Sequence, residues 1–435
     1  MTGTPITDTD IIIIGAGTAG LSAAKTLAAQ NIPFVVLEAS HRIGGRAYSE
    51  AFAGGGWFDL GCSYMHEGEI NPLVEIAAAL GIALGDGTRF NTEKTQLFDR
   101  QGRQSAAAHA RYMAFQSACG ALMRRANAQS GIDTDIGSLL DWDDPQTPVY
   151  AHLMASMNGS DVTDQSVCDH LKAKFGLDYP VHDGLGNLIA RWGGDVPVAL
   201  NRPVRAIDWR DGYVEVTTNS GKITGKKVLI TVSTNILTSG AIRFTPNLPD
   251  AVMSAAANLP CGVLNKIGLS FVPGTFAPDQ DGAYVAWPAG PDARLAEPQE
   301  IAGFDLNFDS GQQAIIFAGG SFGIYLERQG PAAMRDYALS CVAGVFGASI
   351  IDKVTDSITT AWHSEPLTLG AYSYAKPGYS TARQTLCQPI EDTVFLAGEA
   401  ASITHYATCH GAFISGRQAA LEMLARRRTS SRWKE

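Results

Sequence analysis

The sequence has no run of eighteen or more apolar residues, so it supplies no candidate membrane-spanning helix. Its polar close, RRRTSSRWKE, reads as a solvated helix end rather than a membrane patch. The opening MTGTPITDTD lacks a basic n-region and runs straight into the first strand, so no signal or transit peptide is expected and a cytoplasmic location is. There is no CxxC, and the seven cysteines are scattered and odd in number, which excludes a disulfide framework or zinc ribbon and predicts reduced thiols. No histidine and carboxylate spacing suggests a metal. Positive charge is in deficit, 33 Lys and Arg against 43 Asp and Glu for a net charge of -10. That balance argues against nonspecific nucleic-acid binding and mildly favours the steering of cationic small molecules. At 435 residues the chain suits two domains, and nothing in it fixes an oligomeric state beyond leaving a homodimer open.

What the chain does contain is concentrated first in residues 10–46. Ile11 to Ile14 form an unbroken β-branched run, as expected of a parallel strand buried on both faces. Gly15, Gly17 and Gly20 then give GxGxxG: one glycine for the tight turn, one for backbone approach to a pyrophosphate, one for close helix-to-sheet packing. The helix that follows, predicted from about Gly20 to Ala29, turns its N-terminal amides toward that pyrophosphate. Phe34 to Leu37 is the second strand, and Glu38 at its end is placed to accept hydrogen bonds from a ribose diol. The unit reads as a dinucleotide-binding βαβ.

The continuation narrows the dinucleotide. Glu38, Arg42, Gly44, Gly45 and Arg46 spell ExxxRxGGR, which resembles the FAD-containing flavin amine oxidase superfamily. Further segments carry the same resemblance. FDLGCSYMH is similar to the family's DLGasWIH stretch, which implies backbone at Gly61, Cys62 and Ser63 along the flavin and His66 facing substrate, with Tyr64 where tryptophan is usual. Glu67 and Glu69 follow, either guiding a cation or merely solvated. Val204 matches a valine whose backbone packs on the adenine end of FAD, and Ser233 replaces a customary proline in VLITVSTNIL. The NKI element implies that Lys266 stands near flavin N5. WHSEPLTLGAYSY implies Trp362 beside the flavin and Tyr372 walling the substrate site. Ala371 occupies the position of the monoamine oxidases' flavin-linked cysteine, so FAD is expected to be held non-covalently. Gly398 and Glu399 open the GEAAS loop at the ribityl and pyrophosphate portion, and Thr408, Cys409 and Ala412 lie where a helix start meets the flavin's N1/C2 edge.

The remaining segments read by pattern alone. Apolar spacing predicts helices over 111–126 and 167–175 and a loop over 138–147. Residues 203–237 read as strands around Asp-Gly and Ser-Gly turns, ending in a strand through VLITVSTNIL. AYVAW and QAIIFAGG read as strands and MRDYALSCVAGVFG as a covering helix. The fold expected is α/β: a Rossmann-like FAD domain from residues 1–82, 184–255 and 362–435, with an inserted α+β substrate domain from 83–183 and 256–361. The resemblance implies an amine oxidase of the polyamine-oxidase-like branch, in which an amine loses hydride to flavin N5, the imine hydrolyses, and O2 is returned as H2O2. If the amine enters neutral, no strong general base is required. The alternatives are an L-amino acid oxidase, disfavoured because GCSYMH carries no arginine, another dehydrogenase or desaturase of this fold, and a flavin-binding protein without turnover.

Overall fold

The computed structural model describes residues 9–88, 94–99, 102–130, 133–286, 301–307 and 311–429. Residues 1–8 of the opening segment, Trp287 of the expected AYVAW strand and residues 430–435 of the tail lie outside it.

The isoleucine run organises a five-stranded parallel sheet ordered Val394–Leu396, Lys227–Ile230, Ile11–Ile14, Phe34–Leu37, Val198–Ala199. Side chains alternate across a strand, so Ile12 and Ile14 feed one hydrophobic core while Ile11 and Ile13 feed another. That two-faced burial is why the run has no polar alternation. On the second face the Thr18–Ala28 helix packs against the Cys409–Thr429 helix. Contact there is backbone to backbone, since a Cβ on Gly416 would lie 2.0 Å from the Ala19 carbonyl oxygen.

A second sheet of four strands, Gly221–Gly225, Tyr213–Thr218, Val204–Arg210 and Arg243–Thr245, covers the first core. A third has seven strands in the order Val354–Thr359, Leu264–Phe271, Gln313–Gly319, Ala302–Leu306, Gly282–Ala286, Gln96–Asp99, Gly102–Arg103. One face of it is sealed by the Gly320–Gln329 and Pro331–Phe346 helices, and the other is left for the cleft.

Three local expectations need correction. The strand through VLITVSTNIL stops at Ile230, because the Ser233 hydroxyl accepts from the Ile236 amide and caps a Thr234–Thr238 helix, the ordinary use of serine at that position. The helix expected over 167–175 is only Val167–His170. It ends where the Lys174 amide bonds to the Thr404 carbonyl and Tyr179–Pro180 pairs with Tyr64–Met65. The helix expected over 111–126 is instead longer, Ala106–Ser130.

Candidate active site

The three sheets and the helices over 106–175 enclose a cleft of about 1060 Å³. Of the residues singled out in the sequence, Gly15, Gly17, Glu38, Arg42, Gly44, Gly45, Arg46, Gly61, Cys62, Ser63, His66, Val204, Lys266, Trp362, Tyr372, Gly398, Glu399, Thr408, Cys409 and Ala412 all line it. Gly20 does not. A Cβ there would sit 2.0 Å from the Gly15 carbonyl oxygen, so Gly20 serves the close packing of helix on strand expected of the third glycine.

The half of the cleft beside the parallel sheet is built on glycine turns. Gly15 (φ 101°) and Gly44 (φ 98°) have backbone conformations that other residues seldom adopt. A Cβ on Gly45 would come within 3.3 Å of the Gly17 Cα, and Gly17 bridges to Gly44, so the two glycine loops press on each other. Gly398 has open space where a Cβ would go, which keeps that wall clear for a ligand. The Glu38 carboxylate, 9% exposed, accepts from the Ala16 amide at 2.7 Å and the Ser40 amide at 2.8 Å and is thereby fixed at the strand end. The Arg42 guanidinium lies 3.7 Å from the Tyr48 ring and donates to the Gly45 carbonyl at 2.8 Å.

Arg46 donates to the Ala371 carbonyl at 2.7 Å and pairs with Glu399 at 3.0 Å. Burial works against the Arg46 charge, yet the Glu399 carboxylate holds its pKa above the usual value. Glu399 also accepts from the Ser373 hydroxyl at 2.7 Å and the Ala407 amide at 3.0 Å. Its pKa is pushed down: burial opposes the charge, and Arg46 and Arg383 outweigh burial. Glu399 thus fixes the wall through Arg46. The Thr408 hydroxyl accepts from the Gly411 amide at 3.0 Å and donates to the His405 carbonyl at 2.6 Å, so it caps the Cys409–Thr429 helix whose start faces the cleft.

Between the halves stands Lys266, 5% exposed on the Leu264–Phe271 strand. Its ammonium donates to the carbonyls of Asp59 and Gly61 and to the Ser63 hydroxyl. Three acceptors match the three N–H groups of an ammonium, so Lys266 secures the Gly61–Ser63 backbone while presenting a cation to the cleft. Burial lowers its pKa. The neighbouring Asn265 side chain accepts from the Trp362 amide at 3.0 Å, and the Trp362 indole donates to the Leu60 carbonyl at 2.9 Å. Tyr372 donates to the Met157 carbonyl at 2.6 Å.

The other half carries groups that sequence reasoning missed. Asp305, on the Ala302–Leu306 strand, accepts from the Tyr64 hydroxyl, and burial raises its pKa to about 7 against the opposing influence of Tyr64 and Lys266. Its only signal in the sequence is a lone charge inside the apolar run AGFDL. His66 Nδ1 lies 2.9 Å from Asp178, both side chains being 42% exposed. Glu67, expected to be either a guide or solvated, is buried and meets His405 and His410, residues 338 and 343 positions away.

A glycine-looped βαβ unit, a fixed acid at the second strand end and an open cleft between it and a second sheet define a dinucleotide-cofactor oxidoreductase. The sequence pattern of the family described as flavin containing amine oxidoreductase matches residues 18–179 and 147–424, and the chain belongs to that family. Probable polyamine oxidase 4 of Arabidopsis thaliana is 26% identical over 442 residues, 93% of this chain and 85% of that protein. Lysine-specific histone demethylase 1 homolog 2 of the same plant is 25% identical over 449 residues, 96% of this chain but 59% of that protein. Thus the chain spans just over half the length of several curated relatives it matches. A redesigned putrescine oxidase superposes with a TM-score of 0.77 at 18% identity, covering 97% of this chain and 100% of that one. The wild-type putrescine oxidase bound to putrescine gives 0.74 at 18% identity. Both structures share this fold. Among the described residues no helix is long and apolar enough to cross a membrane.

Proposed function

We propose that the chain is an FAD-dependent amine oxidase acting on a small mono-, di- or polyamine, with O2 as electron acceptor. One observation carries the substrate class. The half of the cleft under the seven-stranded sheet presents the carboxyl groups of Asp305 and Asp178, whereas the arginines that line the cleft, Arg42, Arg46, Arg202 and Arg205, all come from the cofactor-side segments. That half offers no guanidinium for a substrate carboxylate, its lysines being Lys174 and the internally bonded Lys266, which disfavours the amino acid oxidase.

Residues 1–82, 184–255 and 362–435 form the cofactor body in this reading, and 83–183 with 256–361 the substrate body. Bound there, FAD would supply a hydride acceptor for the amine's α-carbon and a route for the electrons to O2, giving H2O2. Gly15, Gly17, Gly44 and Gly45 would admit its phosphates, Glu38 its ribose, Val204 its adenine end, and the open wall at Gly398 its remainder. Ala371 has no sulfur with which to bind it covalently. The chain's own work is to hold and orient the amine. His66 and Tyr372 flank it, Trp362 limits its approach to one face, and the buried Lys266 cation favours negative charge developing on oxygen. All seven cysteines are free thiols, which fits the cytoplasm.

The test is anaerobic mixing of the yellow protein with mono-, di- and polyamines and with L-amino acids. Bleaching by amines is the expected outcome. Bleaching by amino acids alone favours the oxidase of that class, and no bleaching by any substrate leaves a flavin-binding protein without turnover.

A further inference from the structure

One built cluster on the cleft wall lies outside every role assigned so far. Glu67 has φ 52°, a left-handed conformation that costs a non-glycine residue about 1–3 kcal/mol and persists only where the surroundings enforce it. Its side chain is buried, with Oε2 lying 2.6 Å from His405 Nδ1 and 3.3 Å from His410 Nε2. A carboxylate offers only acceptors, so both rings must donate to it. His410 is 2% exposed, and burial lowers its pKa to about 4, which makes it a neutral Nε2–H donor at physiological pH. His405 lines the cleft with its side chain 20% exposed. Donation from Nδ1 fixes its neutral tautomer and leaves a lone pair on Nε2, as in a base oriented by an acid.

Resting on the amine-oxidase reading above, we infer that His405 is the catalytic base that takes the proton a substrate ammonium sheds before its carbon can release hydride. Glu67 is its positioning residue, and His410 steadies Glu67. In the step R–CH2–NH3+ loses one N–H bond, the electron pair stays on nitrogen, and the proton passes to Nε2. No electron is transferred. Products are the neutral amine and a His405 imidazolium whose charge lies beside the Glu67 carboxylate. An alkylammonium has pKa about 10.4, so few molecules arrive already neutral, and the base makes the rest usable.

Two rivals are weaker. His66 and Asp178 form a similar pair, but both are 42% exposed, where water screens such a pair. The ligand-type atoms of Glu67, His405 and His410 lie within 4.8 Å of one another. A tetrahedral ion with bonds of about 2.0–2.1 Å would hold its ligand atoms about 3.3 Å apart, so the 2.6 Å approach is that of a hydrogen bond. Other titratable groups in the adjoining wall are His66, His170, Lys174 and Asp178.

The test uses the FAD-loaded full chain. Histidine 15N spectra should show His405 as the Nδ1–H tautomer, and Glu67→Gln should weaken that preference. Anaerobic flavin reduction by an amine, followed from pH 6 to 10, should fall at neutral pH by about 100-fold in His405→Gln, the low end for a general base. Its rise with pH should move alkaline, toward the titration of the amine itself, and added imidazole should restore part of the rate in His405→Ala. An Nε2–H tautomer, a stoichiometric metal in the purified protein, or an unchanged pH profile in a His405→Gln variant of an amine-bleached enzyme overturns the assignment. If no amine bleaches wild type, the amine-oxidase reading fails and takes this role with it.

Discussion

Replacing Arg383 with methionine isolates the charge network beneath the cleft. Arg383 is 1% exposed and Asp169 3%. The guanidinium reaches Asp169 through Nε at 3.1 Å and through a terminal nitrogen at 3.0 Å, and Ser373 Oγ at 2.8 Å, while the Tyr406 ring lies 3.7 Å from it. Ser373 passes the chain on to Glu399, and Glu399 to Arg46. Two acids and two arginines therefore run as a neutral line across the protein. Breaking a buried pair on one side typically costs about 3–5 kcal/mol, because the abandoned charge stays out of water. Arg383→Met should lower stability by that amount in urea unfolding followed by circular dichroism. Replacing both partners with apolar residues leaves no orphaned charge, so Asp169→Leu combined with Arg383→Met should recover most of the loss. Acid sensitivity should change too. The folded pKa of Glu399 lies below its ordinary 4.5, so its contribution is present above that value and lost as pH falls through the folded pKa. Removing one of the two cations that depress it moves acid unfolding of Arg383→Met to higher pH. A single-variant cost under about 1 kcal/mol, or a double variant as unstable as the two singles added, would refute this account.

Three further outcomes are expected. Gly20→Ala places a Cβ 2.0 Å from the Gly15 backbone and should cost at least about 1–3 kcal/mol by overpacking, read as a lowered Tm; an unchanged Tm contradicts the close approach. Lys266→Met removes a cation and the donor to three oxygens, so flavin reoxidation in air should slow by at least about tenfold, measured by stopped flow, and equal rates with flavin bound remove Lys266 from the chemistry. Acid precipitation should release all flavin to the supernatant, since Ala371 has no sulfur; colour retained on the pellet points to Cys62 or Cys409.

The half of the cleft beside the parallel sheet was legible because its physics is local. Glycines at fixed offsets, a β-branched run and an acid at a strand end are read within a few dozen residues, and the structure sets those residues around one cleft. What stayed hidden depends on distance along the chain. Glu67 gives no hint that it meets His405, since the pairing exists only once the Cys409–Thr429 helix docks. Asp305 lies in a stretch without any motif, and its elevated pKa comes from burial that no neighbour in sequence reveals. Ser233 shows a finer limit. A serine in an apolar run can continue a strand or cap a helix, and only the bond to the Ile236 amide decides.

The parallel sheet also sets an order of events during synthesis. Ile11–Ile14 is synthesised long before the strands on the far side of the sheet, so Val228 finds one of its partners only when Val394 appears, and the helix that packs on Thr18–Ala28 comes later still. Until then the nascent chain exposes an unpaired edge on Lys227–Ile230 and an uncovered apolar face at Leu21 and Leu27, surfaces that favour aggregation. Ribosome-bound chains halted before residue 394 should therefore be held by chaperones and retain no flavin, whatever FAD concentration surrounds them.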